Sequence, residues 1–458
     1  MMANQLAAIF NGHLSQLLAG LIADEQSTVQ TTPRFVVALS GGADSVVLLH
    51  LLAQYKLHHP NVVVLAHNVN HGLSVNGASW ADFCGVLCEQ LQVPLLTSKV
   101  IIKQQTRTSL EALAREVRYQ AFQDEMHVND IILTGHHQND QLETLLLALK
   151  RGSGSTGLQG IQAVQPFHTG YLIRPLLIFS RQQIMDYAQL HQLKWVEDES
   201  NQNIEFDRNF IRQKISPLLI ERWPSIAQSA SRTAQLCQDQ QQLLDEFADQ
   251  DLQLCLAESS AKQAVLISTL SDFSAPRRNN VLRYWLKSNG LQYPSSKQLG
   301  VLWQEVALAQ LDKQPTLNLT SHSINRYQGK LYIVVNEAVK LPEQSIKWRG
   351  ESILWLMEGR LGVNFSKVDI GIAEQYEVSC SVRQHLDPAF VCTPKGRNKP
   401  RSIKKLLHEY NVPPWKRDEV VFIFIDNQLV EALGVWRCQM QTTDKITIPT
   451  LDLSLYLA

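Results

Sequence analysis

The sequence predicts an α/β fold: a Rossmann-like parallel sheet with helices on both faces, followed by a mainly helical middle domain and a small mixed α+β C-terminal domain. In the first third of the chain, short continuous apolar runs alternate with helical patterns, as in sheets buried on both faces. Residues 216–256 are rich in Leu, Ala and Gln and have apolar positions at helical spacing. From residue 351 onward the pattern predicts short strands. For a chain of 458 residues, we therefore expect three domains, at 1–215, 216–340 and 351–458.

The elements of the first domain follow one another in a regular order. Apolar positions at helical spacing within residues 1–30 predict an amphipathic helix. Residues 35–39 form a continuous apolar run, which is typical of a buried strand, and residues 44–55 follow with a helical pattern. Further strands are predicted at 61–66, 93–96 and 131–134, and further helices at 78–91, 110–127 and 140–149.

Two hairpins and one helix are predicted in the second half of the chain. Residues 323–327 and 330–335 are strand-like runs on either side of a glycine-containing turn. A second hairpin is expected around Asp426 and Asn427, and a helix at 402–409. Residues 341–350 have the character of a linker between the second and third domains.

Composition and charge exclude several classes of protein. The chain is 45% hydrophobic and 19% charged, with 22 Gly and 17 Pro, which rules out collagen-like, coiled-coil and wholly disordered chains. Its formal net charge is −1. Any binding of nucleic acid must therefore depend on a local basic patch rather than on the charge of the whole chain.

The apolar and cysteine patterns predict a cytoplasmic protein. No apolar run approaches the roughly 20 residues of a membrane span, and the first basic residue is Arg34, so the N-terminus lacks the positive start of a secretory signal. The seven cysteines are odd in number and scattered, which fits reduced thiols better than a disulfide framework. Cys84 and Cys88 have no second pair at metal spacing, and we expect them to be buried and structural.

Between the first predicted strand and the following helix lies the segment Ser40-Gly41-Gly42-Ala43-Asp44-Ser45. Unpaired N–H groups at the start of a helix attract anions, and glycines let the main chain approach a phosphate closely. The segment lacks the lysine of a Walker A loop and the third glycine of a dinucleotide fingerprint. A lysine-free turn that carries Asp44 suits cleavage between the α- and β-phosphates of ATP, with Mg²⁺ on that carboxylate. The alternative is a tight turn with a structural role alone.

This hexapeptide resembles the Ser-Gly-Gly-x-Asp-Ser signature of the PP-loop ATP pyrophosphatase superfamily, and the chain is more narrowly similar to the tRNA(Ile)-lysidine synthetase family. The resemblance implies a PP-loop type of α/β domain that binds ATP through residues 40–45. It also places His71 beside the nucleotide, in the segment 68–74 that follows the second strand. The family usually carries His where Asn68 stands, and for His71 a structural loop histidine is the alternative.

A pair of carboxylates follows the 131–134 strand. Asp140 and Glu143 are three residues apart at the start of a helix, so we expect both to face one cleft. Paired carboxylates can hold Mg²⁺, orient an ammonium group or accept a proton. Members of the family often carry Asp where Asn139 stands, and we predict Asp44 and Asp140 as the Mg²⁺ ligands.

Two pairs of arginines complete the predicted site. Arg115 and Arg118 are neighbours on one helix face and could clamp phosphate oxygens, although a solvated face is the alternative. Arg208 and Arg212 are four apart in a segment that resembles the family residue by residue. The resemblance assigns Arg208 to the phosphate or RNA side, and a salt-bridge cluster that seals the domain is the alternative.

A basic segment near the C-terminus is the candidate RNA-binding surface. Residues 391–417 contain eight Lys or Arg residues and one acid, Glu409, which gives the segment a net charge of about +7. Such a patch predicts salt-sensitive contacts with phosphates that depend little on sequence. A solvated basic face is the alternative. The predicted RNA-binding residues are Lys395, Arg397, Lys399, Arg401, Lys404 and Lys405.

The resemblance implies an ATP- and Mg²⁺-dependent ligase that joins L-lysine to the wobble cytidine of an isoleucine tRNA with a CAU anticodon. The 2-carbonyl oxygen of the base would be adenylated with release of pyrophosphate, and the ε-amino group of lysine would then displace AMP, forming lysidine. The oligomeric state stays open, with a homodimer as one alternative. The predicted catalytic residues are Asp44, Arg115, Asp140, Glu143 and Arg208.

Two other functions compete with this one. A PP-loop tRNA thiolase would need paired cysteines for persulfide or iron–sulfur chemistry, a pattern that Cys84 and Cys88 do not resemble. A non-catalytic RNA-binding protein could carry a relic nucleotide fold, but the intact segment 40–45 and the carboxylates of Asp140 and Glu143 argue against it.

Overall fold

The computed structural model describes residues 2–24, 34–70, 72, 76–100, 110–256, 264–310, 313, 315–336, 344–357, 361–368, 371–439 and 454–457. The chain divides into two compact units, Met1–Phe247 and Ala248–Ala458. The division into three domains stays a prediction. None of the described helices combines the length and the apolar character that crossing a membrane would need.

The first unit is built on a six-stranded sheet. Its strands are β1 (Arg34–Ala38), β2 (Val63–Asn70), β3 (Leu95–Lys99), β4 (Ile131–Leu133), β5 (Val164–Phe167) and β6 (Gly170–Ile173). Their order in the sheet is β3-β2-β1-β4-β6-β5, and all neighbours are parallel except the edge pair β5 and β6. The order reverses between β1 and β4, and open α/β sheets bind ligands at such a switch point.

Ten α-helices begin in the described part of the first unit, and the last of them continues into the second unit. They are α1 (Met2–Asp24), α2 (Ala43–His58), α3 (Gly77–Gln90), α4 (Leu110–Asp124), α5 (Gln138–Lys150), α6 (Ser155–Leu158), α7 (Arg181–Leu190), α8 (Asp207–Phe210), α9 (Ser216–Arg222) and α10 (Ile226–Cys255). Short 3₁₀ turns lie at Pro175–Ile178 and Glu199–Gln202. A π-helical turn, Ile211–Ile215, joins α8 directly to α9.

Helices cover both faces of the sheet, as predicted. Phe35 and Val37 of β1 point into a core shared with α1, α2 and α7. Val36 points to the opposite face, where it packs with Ile132 of β4 and Phe122 of α4. Because successive residues of a strand face opposite sides, a strand that is buried on both sides must be apolar throughout. This explains the continuous apolar run from which β1 was predicted.

In the described part of the second unit, four antiparallel sheets and five further α-helices follow the end of α10. Its strands are β7 (Ala264–Leu266), β8 (Thr316–Asn318), β9 (His322–Tyr327), β10 (Lys330–Val335), β11 (Ile346–Lys347), β12 (Ile353–Met357), β13 (Leu361–Asn364), β14 (Val378–Val382), β15 (Val391–Cys392), β16 (Arg401–Ser402), β17 (Val421–Ile425), β18 (Gln428–Ala432), β19 (Trp436–Arg437) and β20 (Ser454–Leu457). Its helices are α11 (Ile267–Asp272), α12 (Ala275–Ser288), α13 (Ser296–Val301), α14 (Gly371–Gln375) and α15 (Ile403–Glu409). The sheet orders are β7-β10-β9-β8, β11-β14-β17-β18-β19, β12-β13-β20 and β15-β16.

Both predicted hairpins are confirmed, but the sheet of the first unit differs from prediction at β2, β5 and β6. β2 extends beyond its apolar run to Asn70 because β3 pairs with its polar end. The pair β5 and β6 was not predicted. β5 contains Pro166, which lowers the strand signal and is tolerated here because β5 lies at the edge of the sheet.

Candidate active site

The two glycines after β1 are needed for different reasons. Gly41 has φ +87°, and a Cβ atom at this position would lie 2.8 Å from Cγ2 of Val196. Gly42 has φ −73°, and its Cβ atom would meet only Oγ of Ser40, at 3.5 Å. The fold therefore requires the first glycine, whereas the second leaves open space beside the main chain.

The start of α2 is suited to hold an anion. Gly42 caps the helix without a side-chain hydrogen bond, so the backbone N–H groups of the first turn have no capping side chain. The Ser45 hydroxyl donates to the Gly42 carbonyl at 2.9 Å and lies 3.1 Å from the Ser40 hydroxyl. The helix dipole, the start of the helix backbone and two hydroxyls thus converge on one turn.

Asp44 extends from this turn toward α5 and α7. Its carboxylate accepts hydrogen bonds from Nη1 of Arg181 at 3.1 and 3.4 Å. Nε2 of His137 lies 3.7 Å from the same carboxylate and 3.4 Å from that of Asp140. His137 therefore stands between the two carboxylates that were predicted to bind Mg²⁺.

His137 also begins α5. Its Nδ1 accepts a hydrogen bond from the Asn139 N–H at 3.2 Å, while Asp140 accepts one from the His137 N–H at 2.9 Å. Nδ1 thus faces the backbone of α5, and Nε2 is the ring nitrogen that faces the two carboxylates. Among the described residues this Nε2 is a buried atom with no hydrogen-bond partner, and it points toward the two carboxylates.

Asp140 and Glu143 form a compact ionic cluster with two arginines. Arg208 contacts Asp140 at 3.1 Å and Glu143 at 2.9 Å, and Arg212 contacts the same carboxylates at 3.0 and 2.7 Å. The Glu143 side chain is only 2% exposed. Burial alone would raise the pKa of Asp140. The effects of His137, His136 and both arginines outweigh burial and hold this pKa well below its ordinary range.

Arg115 and Arg118 lie on α4 and line the cavity that also contains Asp44 and Asp140. The Arg115 guanidinium donates to the Tyr119 hydroxyl at 3.2 Å. Burial lowers the pKa of Arg118, with Arg115 as a like-charged neighbour that acts in the same direction. Arg118 is half-buried and Arg115 is exposed, and two neighbouring cations favour the binding of an anion between them.

These side chains line one cavity of about 390 Å³ in the first unit. It brings together Ser40, Asp44 and Ser45 from the glycine turn with residues of β2, α3, α4, α5, α8 and the π-helical turn, among them Arg115, Arg118, Asp140, Arg208 and Arg212. Glu143 was expected to face the same cleft, but it lies behind Asp140 and supports the two arginines instead.

The end of β2 contributes Asn68. Its side chain is buried and donates to the Leu39 carbonyl at 2.8 Å, so it fixes the chain just before the glycine turn. His71, predicted to lie beside the nucleotide, is outside the described residues.

The chemistry of the carboxylates fits a magnesium ion that is bound mainly through the phosphates of ATP. Asp44 is 29% exposed, and oxygen is the ligand that Mg²⁺ prefers. No cluster of three or more His, Cys, Asp or Glu side chains suited to a metal occurs in the described part of the chain. Mg²⁺ typically takes one or two carboxylates together with phosphates, so such a cluster is not required.

The basic segment of the second unit is exposed. All six predicted RNA-binding residues have exposed side chains and lie on or between β15, β16 and α15. Arg397 is paired with Glu409, and Arg401 lies 4.0 Å from the same carboxylate. These ion pairs hold the loop between β15 and α15 in place and leave the net positive charge of the segment facing solvent.

Sequence reasoning missed several residues of the site, among them His137 between the two carboxylates. Arg181 of α7 contacts Asp44, and Trp80 of α3 lines the cavity. The only local signal at Arg181 is the capping box of Ser180 and Gln183 that starts its helix. That signal predicts a helix start, but the 137 residues between Arg181 and Asp44 hide the contact.

Three family models match successive parts of the chain. Residues 10–219 match a PP-loop domain, residues 266–332 the TilS substrate binding domain and residues 380–448 the TilS substrate C-terminal domain. The three matches together cover most of the sequence. The PP-loop match contains the glycine turn at 40–45, and the C-terminal match contains the basic segment at 391–417.

Curated relatives match over nearly their whole length. The tRNA(Ile)-lysidine synthase of Serratia proteamaculans is 41% identical over 402 residues, which is 88% of this chain and 91% of that protein. The enzyme of the same name from Shigella flexneri is 38% identical, covering 89% and 93%. The one from Vibrio atlanticus is 39% identical, covering 88% and 92%.

Proposed function

The chain belongs to the tRNA(Ile)-lysidine synthase family, and we propose on this premise that it joins L-lysine to the wobble cytidine of an isoleucine tRNA with a CAU anticodon. It is an ATP-dependent ligase of PP-loop type. ATP adenylates the 2-carbonyl oxygen of the base with release of pyrophosphate. The ε-amino group of lysine then attacks the carbon that bears this oxygen. AMP leaves together with the oxygen, and lysidine remains in the anticodon.

One observation carries the assignment of residues. The cavity of the first unit joins an anion-binding glycine turn to an ionic cluster on α5 and α8. In our proposal the phosphates of ATP lie on residues 40–45, with Mg²⁺ on Asp44. Arg115 contacts phosphate oxygens from the opposite side of the cavity.

Asp140, Glu143 and Arg208 have a different role in this proposal. Since the pKa of Asp140 is well below its ordinary range, the carboxylate is ionised and a poor acceptor for a proton. This favours Asp140 as a group that orients an ammonium, or that completes the Mg²⁺ site with Asp44, over general-base catalysis. Glu143 holds Arg208 against Asp140 and so positions the guanidinium toward the cavity.

Contact with tRNA is proposed for the basic segment of the second unit, through Lys395, Arg397, Lys399, Arg401, Lys404 and Lys405. Their exposure and shared sign support binding to phosphates. The seven free thiols suit a reducing compartment, which supports the cytoplasm as the location. The homodimer stays a prediction.

The thiolase alternative is not favoured. Burial raises the pKa of Cys84 to about 12 and that of Cys88 to about 11. A persulfide reaction needs a thiolate, and these two thiols are protonated at neutral pH.

Mass spectrometry of the product tests the proposal. Unmodified isoleucine tRNA is incubated with ATP, Mg²⁺ and isotopically labelled lysine, and we expect the label on the wobble cytidine, with one AMP and one pyrophosphate formed per lysine. Methionine tRNA, which has the same anticodon, is the control. Pyrophosphate release without incorporation of lysine would contradict the proposed reaction.

The Asp44→Ala variant tests the role of the turn. Adenylation should be abolished while affinity for tRNA stays nearly unchanged, because the carboxylate serves the metal and the nucleotide. An equal loss of tRNA binding would show that Asp44 serves the RNA instead.

A further inference from the structure

Asp44 has a cationic partner that the reaction scheme does not use. Nη1 of Arg181 donates to both carboxylate oxygens, at 3.1 and 3.4 Å. The Arg181 side chain is 43% exposed and that of Asp44 is 29% exposed. The guanidinium of Arg181 thus reaches solvent on one side and Asp44, which lies in the anion-binding turn, on the other.

The position of Arg181 is fixed by its backbone. Ser180 caps α7 in a box with Gln183, which makes Arg181 the first residue of the helix. The Arg181 N–H donates to Oδ1 of Asn139 at 3.0 Å, which ties the start of α7 to the start of α5. The guanidinium thus extends from a rigid helix junction toward the glycine turn, and its contact with Asp44 does not depend on a loop.

The charges at the turn explain what such a contact can do. A carboxylate at an anion-binding helix start repels the phosphates for which that helix start is suited. A cation on the carboxylate removes the repulsion. Before ATP binds, the described residue that supplies this charge most directly is Arg181, and with ATP the proposed magnesium ion would supply it.

We infer that Arg181 is a positioning residue that neutralises and orients Asp44 in the ATP-free enzyme, and that it competes with the cation accompanying ATP for the same carboxylate. The inference rests on the proposed role of Asp44 as a magnesium ligand. It predicts that removal of Arg181 lowers the affinity for ATP in the absence of Mg²⁺ and raises it in the presence of Mg²⁺.

The test is equilibrium binding of ATP to the full chain by calorimetry, once in excess EDTA and once in saturating Mg²⁺. In Arg181→Gln, we expect affinity to fall about two- to fivefold in EDTA and to rise about two- to fivefold in Mg²⁺, the range of a partly exposed ion pair. The dissociation constant in EDTA divided by that in Mg²⁺ should therefore be at least about fourfold larger in Arg181→Gln than in the wild type. Arg181→Lys, which keeps the charge, should restore most of the wild-type ratio.

Two controls separate the inference from trivial effects. Arg222→Gln removes an exposed arginine of α9 and should leave both affinities unchanged. In an Asp44→Asn background, Arg181→Gln should no longer change the ratio, because the partner of the guanidinium is gone.

The outcomes are distinguishable. If Mg²⁺ does not strengthen ATP binding in the wild type, the proposed magnesium site fails. If Mg²⁺ strengthens binding but Arg181→Gln lowers both affinities equally, Arg181 binds phosphate directly and the inference is wrong. Unchanged affinities in Arg181→Gln would reduce the contact to a surface ion pair and would also overturn the inference.

Discussion

At the scale of single residues, the glycine turn shows how one short segment meets two demands. Gly41 satisfies the fold, because its positive φ and its approach to Val196 exclude a side chain. Gly42 satisfies the proposed ligand, because its backbone conformation suits any residue and the space beside it is open. The two positions should therefore respond differently to the same substitution.

Alanine at each glycine tests this separation. Gly41→Ala should lower the free energy of unfolding by about 1–2 kcal/mol or more, since it places a Cβ atom in the left-handed region and against Val196. Gly42→Ala should leave the free energy of unfolding within about 0.5 kcal/mol and weaken ATP binding at least tenfold. Urea unfolding and ATP calorimetry measure the two effects, and equal loss of stability in both variants would contradict the separation.

At the scale of elements, the ionic cluster links α5 to the helical stretch from α8 through α9. The π-helical turn within that stretch contains Arg212 and follows the helix of Arg208, and π turns are common at functional sites. Each arginine reaches both Asp140 and Glu143. Glu143 is the most buried of the four and holds the cluster together.

Substitution of Glu143 should therefore weaken this junction. Glu143→Gln leaves two guanidiniums with one carboxylate and should cost about 2 kcal/mol of unfolding free energy. Lys150→Gln breaks an ion pair between side chains that are 58% and 60% exposed, and should cost less than about 1 kcal/mol. Similar losses in the two variants would show that burial of the cluster does not strengthen it.

The junction of α2 and α7 should respond to pH. His50 of α2 contacts the Tyr187 hydroxyl at 2.9 Å, and burial lowers the pKa of His50 to about 4. The unfolded chain protonates this histidine near pH 6.5, so the folded state loses stability as the pH falls from about 6.5 to about 4.

This dependence has a defined limit and a control. One proton contributes a slope of at most about 1.4 kcal/mol per pH unit, and His50→Gln should remove that contribution from the unfolding free energy. His58→Gln, at an exposed position of the same helix, should leave the pH profile unchanged. A wild-type slope retained in His50→Gln would contradict the assignment.

At the scale of the whole molecule, ATP chemistry and RNA binding are assigned to different units. The first unit holds the cavity, and the second holds the exposed basic segment on β15, β16 and α15. The net charge of the chain is −1, so the attraction for tRNA must be local.

Charge reversal on α15 tests this assignment. Lys404→Glu with Lys405→Glu should weaken tRNA binding and flatten the plot of log affinity against log salt concentration, since fewer counterions are released from the RNA. The matched pair Lys404→Arg and Lys405→Arg should keep the slope. If the double Glu variant also keeps the slope, the segment is a solvated face without contact to RNA.

Local patterns were sufficient for much of this account. The apolar run of β1, the hexapeptide at 40–45 and the cluster of basic residues near the C-terminus are each contained in a short stretch of sequence. The apolar run predicted a strand of the α/β fold, the hexapeptide predicted the position of the glycine turn, and the basic cluster indicated the candidate RNA-binding surface. The curated relatives confirm the family that these motifs indicated.

Contacts between distant segments could not be predicted in this way. Arg181 reaches Asp44 across 137 residues. The Asn139 side chain accepts a hydrogen bond from the first residue of α7, a contact that also joins distant segments. The position of Glu143 behind Asp140 likewise depends on how α8 packs against α5, which no local spacing encodes.

Transfer of the α-phosphate tests the central claim most directly. The enzyme is mixed with ATP labelled at the α-phosphate and with isoleucine tRNA, first without lysine and then with it. We predict label on the tRNA in the first step and its release as AMP in the second, with no transfer by Asp44→Ala. Formation of lysidine without label ever reaching the tRNA, or normal transfer by Asp44→Ala, would contradict the claim that the turn after β1 holds ATP for adenylation of the base.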